Sequence, residues 1–435
     1  MLGKPGIHLK PCKNTAECTP VAIPVPERVT ITLSTFRGSV NEPIVKVGDT
    51  VQVGQPIAPA KGGLAVPVHA TVSGTVEALT KLRMTDGSMT PAVVLKSDGL
   101  QTPWEGIKVP TVTNREDFVS VLRESGLTGL GGAGFPTWAK FSAEAEILLL
   151  NGSECEPYCT ADYELMCSNP KDVLEGASLV RKYVGIQKIV VGIKETNTKA
   201  IEAMKQAAAG MEGVEISPLH SFYPVGAEKM CIKETTGRIV PRGKLPKDVG
   251  VIVLNVGSAA FIAQHLRTGM PLVTKTVTMD GSALKEPKIV SAPIGTPIGE
   301  LFDAAGGFRC EPSKIISGGP MMGLTIPDLK FPLLRQNNAF LALDEKDAFI
   351  PPESACIHCA RCITNCPMNL MPTELAQACK AKDGAKLDKL MVDLCIECGI
   401  CAYVCPAKRD LVTSHRLAKG ILRNYQMAQK EAQAK

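Results

Sequence analysis

Eight of the sixteen cysteines fall in two runs of identical spacing, Cys356-x2-Cys359-x2-Cys362-x3-Cys366-Pro367 and Cys395-x2-Cys398-x2-Cys401-x3-Cys405-Pro406. Thiolates at this spacing hold a [4Fe–4S] cube: three close cysteines wrap one cube, and the fourth, beside a proline, reaches across to the other. The pattern predicts one cluster on Cys356, Cys359, Cys362 and Cys405, and a second on Cys395, Cys398, Cys401 and Cys366. Zinc is the alternative for paired C-x2-C knuckles, but a third cysteine after two more residues and a closing Cys-Pro are not zinc-knuckle spacing. Two neighbouring cubes form a short one-electron wire, and a wire needs a donor and an acceptor at its ends.

A second chemical signal lies upstream. Gly129, Gly131, Gly132 and Gly134 crowd into a short turn ahead of Lys140 and a predicted strand at Ile147–Leu150. Glycines let a backbone approach a phosphate or a ring closely, and the lysine adds a cation; on its own such a turn also occurs without function. After the strand comes Asn151-Gly-Ser153-Glu154-Cys155-Glu156-Pro157-Tyr158. These polar side chains leave the carboxyl end of an apolar strand, where open α/β sheets bind ligands; the competing reading is a solvated acidic turn. Lys188–Ile193 and Val249–Val256 read as buried strands with helix-like segments between them, which predicts a doubly wound α/β domain. Tyr223, Glu228 and Asn255 then fall near element ends of that domain.

The surrounding sequence must supply the scaffold. At 435 residues the chain has room for roughly two to four domains. A net charge of +5 without a basic stripe argues against nucleic acid. Met1–Thr19 has no continuous apolar region of the signal-peptide kind, and no stretch reaches the length of a membrane span. The expected location is therefore cytoplasmic, with any membrane contact peripheral. Sixteen cysteines in a reducing compartment point to metal, not disulfides. Cys12, Cys18, Cys155, Cys159, Cys167, Cys231, Cys310 and Cys379 lie outside the two runs and carry no assigned role. Cys379 falls in a helix expected across Pro372–Leu394, with Leu375, Ala378 and Leu390 on its apolar side. The six histidines form no cluster and are read as structural. His415 to Lys435 reads as a basic helix with Leu417, Ile421, Leu422 and Tyr425 on one side.

The segments GLGGAGFPT (129–137) with Lys140, NGSECEPY (151–158), YPVGAEK (223–229), TTGRIVP (235–241) and LNVGSAA (254–260) resemble the flavin-binding subunit family of respiratory complex I, and more closely the RnfC family of the Rnf electron transport complex. The likeness covers nearly the whole chain. It implies an FMN pocket over which NAD(H) is laid. Gly129, Gly131, Gly132, Gly134 and Lys140 would lie on its phosphate side, and Asn151, Ser153, Glu154, Glu156, Tyr223, Glu228 and Asn255 near the flavin and nicotinamide rings. Ser153 and Ala227 depart from the acidic residues usual in the complex I relatives. The implied fold is a multidomain α/β chain. It would comprise a β barrel-sandwich, lipoyl-like domain (1–110), a doubly wound FMN/NADH domain (111–267), a β-grasp-like module of the SLBB type (268–345) and a 2[4Fe–4S] ferredoxin-like helical domain (346–435). Lys61 is the lone lysine near a carrier-type hairpin and lacks the flanking carrier motif, so the barrel-sandwich is expected to be structural.

The implied function is that of a peripheral subunit on the cytoplasmic side of a bacterial inner membrane. It would exchange hydride between NAD(H) and FMN and relay single electrons through two [4Fe–4S] clusters, partnered by membrane-integral subunits and a ferredoxin-like subunit. Two alternatives stand beside it. One is a cobalamin reductase of a diol-utilising microcompartment, whose layout begins near the glycine loop; the other is a ferredoxin-like adaptor without a working flavin site. Replacing Cys362 or Cys398 by Ala should each remove one cube, leaving about four of eight irons per chain by chemical iron assay; full iron in either variant contradicts the ligand assignment.

Overall fold

The computed structural model describes residues 6–36 and 39–433. Four strands, Ile147–Asn151, Lys188–Lys194, Val214–Leu219 and Val251–Asn255, form a parallel sheet in the chain order third, second, first, fourth. Three of them are largely apolar in succession because both faces are covered, while the edge strand Val214–Leu219 is mixed in sequence and only partly buried. Leu148, Leu150, Ile189, Val191, Ile252 and Leu254 enter one core, while Leu149, Val190, Val251 and Val253 enter the core on the opposite face. Strand order reverses between Ile147–Asn151 and Val251–Asn255, whose last residues Asn151 and Asn255 pair in register. A crevice therefore opens at their carboxyl ends, the place where such sheets bind ligands.

The helices Pro170–Val184 and Val256–Thr268 cover one face of this sheet. They approach closely at Gly176, where a Cβ would collide with the Ala259 carbonyl. The first of them stops at Gly185, whose left-handed backbone (φ 82°) bonds back to Arg181.

The other modules are built on β-structure. In the amino-terminal barrel-sandwich, Arg28–Thr32, Met89–Ser97, Gly74–Arg83 and Thr50–Val51 form an antiparallel sheet around Val29, Ile31, Ile57, Val68, Val93 and Leu95. The β-grasp-like module has a six-stranded mixed sheet in which Thr274–Asp280 runs antiparallel to Lys288–Pro293 and parallel to Ala339–Leu343. The helix Ile298–Ala304 packs on it through Ile298, Leu301 and Phe302. The short strand Val21–Ala22 pairs with Lys288–Pro293, so the amino-terminal segment is woven into this later module.

The carboxyl-terminal module differs from expectation in two places. The single helix expected across Pro372–Leu394 is two helices, Pro372–Lys380 and Gly384–Lys389, and a 3-10 turn at Val392–Leu394. Lys382 adopts a left-handed backbone (φ 54°), and the Asp383 carboxylate caps the amide of Lys386, which opens the second helix. The long helix Leu411–Gln433 buries Leu411, His415, Ala418 and Leu422, whereas Leu417 is 63% exposed. Leu422, Ile421 and Tyr425 face the core as expected, and Leu417 alone of that stripe lies outside it, because the packing partners lie on the short helices and the second cysteine run. Among the described residues no helix is long and apolar enough to cross a membrane.

Gly176→Val should cost about 1–3 kcal/mol of stability by forcing the two helices apart, read as a lowered midpoint in chemical denaturation. A variant as stable as the parent contradicts the close approach.

Candidate functional site

The cysteine runs fold into two separate cavities. One is lined by Cys356, Cys359, Cys362 and Cys405, the other by Cys395, Cys398, Cys401 and Cys366. The fourth thiol of each run therefore faces the cavity of the other run. Among the described residues no three His, Cys, Asp or Glu side chains converge as ligands of a single ion do. The thiols are instead spread around cavity walls, which suits a four-iron group.

Backbone geometry repeats with the spacing. Left-handed residues occur at His358, Ala360 and Asn369 of the first run and at the equivalent Glu397, Gly399 and Lys408 of the second, with φ between 52° and 79°. Such turns wrap a short chain around a compact group and aim amides at it. The amides of Leu370 and Glu397 donate to the Cys366 and Cys395 sulfurs, both at 3.4 Å. Burial pushes the Cys398 thiol up to about 12, so the positive charge of iron is needed to hold a thiolate there. The donor set fits the cluster.

His415, one of the histidines without a cluster in the sequence, sits against a ligand cysteine. Its Nδ1 lies 3.5 Å from the Cys395 sulfur, while its Nε2 donates to the Pro372 carbonyl at 3.1 Å. Cys379 is half-buried in the adjacent core and lines neither cavity. The two cavities adjoin, since Cys362 and Cys401 pack with Leu411 in one apolar cluster.

At the crevice, the glycine turn lies beside Asn255: a Cβ on Gly131 would press on the Asn255 side chain, whereas one on Gly132 would meet nothing within 4 Å. Gly131, Gly132 and Ala133 are exposed, and their amides make no hydrogen bond among the described residues. A cradle of free amides around open space fits a phosphate-bearing ligand. Lys140 is half-buried and donates to the Val253 carbonyl at 2.8 Å; desolvation lowers its pKa, opposed by Glu228. Lys275, which is buried, donates to the Leu130 carbonyl at 3.2 Å. Asn255 caps the helix Val256–Thr268 and donates to Asp162 at 2.7 Å.

The acidic turn is fully engaged. Asn151 accepts from the Ser153 hydroxyl at 2.7 Å and donates to the Gly226 carbonyl at 2.9 Å. Glu154 sits in a left-handed conformation (φ 37°) and accepts the amides of Asp162 and Tyr163, both at 3.0 Å. Burial pushes its carboxyl up to about 7 against the pull of Lys13. Lys13 donates to the carbonyls of Glu154 (3.0 Å), Glu156 (3.1 Å) and Cys159. No sequence signal marks this lysine, because it comes from the far amino terminus. Glu156 accepts from the Met321 amide at 3.0 Å and from the Tyr223 hydroxyl at 3.2 Å, and burial raises its pKa. The same Tyr223 hydroxyl lies 2.8 Å from the Cys398 carbonyl. The glycine-rich Ser317–Gly323 loop, unremarkable in the sequence, closes the gap: the Met321 carbonyl lies against Gly399, and Gly319 lies against Glu156. Glu228 is exposed at the start of the helix Glu228–Thr236.

These features define a protein that holds iron–sulfur clusters beside a crevice fitted to a phosphate-bearing ligand. Residues 122–264 match the Nuo51 FMN-binding domain, residues 3–100 the RnfC barrel sandwich hybrid domain, residues 276–325 the SLBB domain and residues 355–410 a 4Fe-4S dicluster domain. The chain is 41% identical to the C subunit of the Na(+)-translocating ferredoxin:NAD(+) oxidoreductase complex of Acetobacterium woodii, covering 96% of both proteins. It is 38% identical to the proton-translocating counterpart of Clostridium ljungdahlii over 85% of this chain and 83% of that one. A crystal structure of an NAD+-reducing [NiFe]-hydrogenase shares the fold at a TM-score of 0.51 and 18% identity, covering 71% of this chain and 63% of that one. The chain belongs to the RnfC family, the C subunits of the ion-translocating oxidoreductase complexes. It is an oxidoreductase subunit of electron transport, with FMN and iron–sulfur clusters as cofactors.

Cys405→Ser should disturb the cluster of the Cys356 run and spare that of the Cys395 run, as read by electron paramagnetic resonance against single-cluster variants. Damage confined to the Cys395 run contradicts the crossed ligation.

Proposed function

We propose that the chain is the NAD(H)-reacting peripheral subunit of an ion-translocating ferredoxin:NAD+ oxidoreductase on the cytoplasmic face of a bacterial inner membrane. It exchanges electrons with a nicotinamide in the glycine-turn crevice and passes them singly through two [4Fe–4S] clusters. The names of its relatives support this reading, since both are called the C subunit of a ferredoxin:NAD(+) oxidoreductase complex. The observation that carries it is the continuity from Glu156 at the crevice, through the Tyr223 hydroxyl, to the Cys398 carbonyl on the wall of a cluster cavity.

FMN, when bound, supplies the conversion between two-electron exchange with a nicotinamide and one-electron exchange with iron–sulfur clusters. The residues of this chain hold and orient. Gly129, Gly131, Gly132 and Gly134 with Lys140 would hold the phosphate end. Asn151, Ser153, Glu154, Glu156, Glu228 and Asn255 would flank the rings, and Tyr223 would back the pocket toward the clusters. Lys13 balances the buried charge of Glu154 and Glu156 and ties the turn to the amino-terminal segment. Cys366, Cys395, Cys398 and Cys401 would hold the cluster nearer the crevice, and Cys356, Cys359, Cys362 and Cys405 the farther one. Ion movement belongs to other subunits of the assembly, among them membrane-integral ones and a ferredoxin-like one. The barrel-sandwich match at residues 3–100 favours this reading over the cobalamin reductase layout that begins at the glycine turn.

Gly132→Val should fold, because its side chain would enter open space at a backbone conformation any residue adopts. It should also fill the cradle, leaving both cubes in place with little FMN and no NADH oxidation. Flavin extraction beside iron counting reads the outcome; stoichiometric FMN with parental NADH oxidation would place the flavin elsewhere.

A further inference from the structure

Three modules meet beside the glycine turn, and their seam gathers basic groups without an acid. His69 comes from the barrel-sandwich, His265 from the helix Val256–Thr268 of the flavin domain, and Arg335 from the β-grasp-like module. Burial, Arg335 and His265 together push the His69 imidazole down to about 3, so it is neutral at neutral pH. Withdrawal from water lowers the half-buried Arg335 guanidinium to about 10, which leaves it charged. Among the described residues no carboxylate pairs with it.

Two of these groups converge on one spot. Arg335 carries five N–H donors. Its one hydrogen bond among the described residues is a long one, from Nη2 to the Pro67 carbonyl at 3.4 Å. His69 is 6% exposed, yet its Nδ1 has no hydrogen-bond partner among the described residues. That nitrogen and the Pro67 carbonyl both face Gly126, where a Cβ would lie 3.2 Å from each. Glycine there, at φ 74°, leaves the space before the imidazole free of a side chain. His265 is already engaged, its Nδ1 lying 2.9 Å from the Met270 carbonyl.

The seam holds these groups in place. Thr71 donates to the Ile294 carbonyl at 2.6 Å, and the Leu272 amide to the Ser125 carbonyl at 2.9 Å. A desolvated charge and an orphaned ring nitrogen are each costly, and one ligand bearing negative oxygens would satisfy both. Gln336, next to Arg335, lies against Gly134, so the spot flanks the glycine turn.

We propose that Arg335 and His69 form an oxyanion site of the phosphate class at this three-module seam. The planar guanidinium fork matches two oxygens of a phosphate and supplies the charge. The neutral imidazole, with its hydrogen on Nδ1, supplies a directed donor. The phosphate is either free or carried by a nucleotide in the adjoining crevice, and the chemistry is the same for both. The site does not depend on the electron-relay reading above.

The test is calorimetric titration of inorganic phosphate into the full chain loaded with flavin and clusters, at an ionic strength held constant with chloride. The parent should bind one phosphate saturably. Arg335→Gln should weaken that binding about tenfold or more while keeping iron and flavin. His69→Phe, which keeps a ring in the seam without a donor, should weaken it severalfold, and it carries the comparison if Arg335→Gln fails to fold. Repeating the parent titration with saturating NAD+ separates the sources: exclusion of phosphate assigns the site to a phosphate of the dinucleotide, and undiminished affinity assigns it to free phosphate. Absence of saturable binding in the parent overturns the site, as does parental affinity in either variant. Binding confined to flavin-free chain also overturns it, since the phosphate would then lie in the glycine turn.

Discussion

The Tyr223 hydroxyl has one hydrogen and two acceptors, a Glu156 carboxylate oxygen at 3.2 Å and the Cys398 carbonyl at 2.8 Å. Its ring is buried, at 2% exposure, and sits in one apolar cluster with Cys398, Ile400, Ile396 and Met321. Everything on the electron path depends on that junction. The crevice at the sheet switch point lies on one side and a cluster cavity on the other, and their separation is set by how the flavin domain and the ferredoxin-like module meet here. Burying Ile400 alone is worth about 1.5–3 kcal/mol. The Arg242 bridges to Asp388 and Asp393 at the same boundary are largely exposed, so each adds on the order of 0–1 kcal/mol. Apolar packing holds the modules together, and the hydrogen bonds fix their registration.

The amino-terminal segment and the β-grasp-like module act as clamps on this junction. Ile7 exchanges both backbone hydrogen bonds with Tyr223, and Tyr158 donates its amide to the Pro11 carbonyl. Lys13 gathers the carbonyls of the acidic turn from the same side. Met321 donates its amide to Glu156, and its carbonyl packs closely against Gly399. A carboxylate withdrawn from water to the extent of the half-buried Glu156 is costly without such partners. Contacts from three parts of the chain hold it in one orientation beside the crevice.

The legible parts of the sequence are those whose chemistry is local. Thiolate spacing is set by the size of the group it wraps, so the two runs and their crossed faces can be read from intervals alone. Glycines in the turn and apolar strands in the sheet follow from backbone sterics and burial within a few residues. Contacts joining distant segments are not legible in this way. Lys13 is an unremarkable lysine until the fold brings it across to Glu154; the Met321 loop reads as a surface turn; and Tyr223, placed near the rings by family likeness, directs its hydroxyl to Glu156 and Cys398. The two helical segments that differ from expectation have the same origin. Pro372–Leu394 carries helical periodicity, but the Asp383 cap restarts the helix. Leu417 is the one member of its apolar stripe that tertiary packing leaves in solvent.

The order of electron flow proposed above runs from the crevice to the Cys366/Cys395/Cys398/Cys401 cluster and then to the Cys356/Cys359/Cys362/Cys405 cluster. The most direct measurement is freeze-quench electron paramagnetic resonance after anaerobic mixing with NADH, on variants that each lack one cube. With Cys359→Ala the remaining cluster should be reduced at the parental rate, whereas with Cys398→Ala reduction of the remaining cluster should slow by orders of magnitude. The opposite pattern, with the Cys356-run cluster filling at full speed in the absence of the other, would contradict this order.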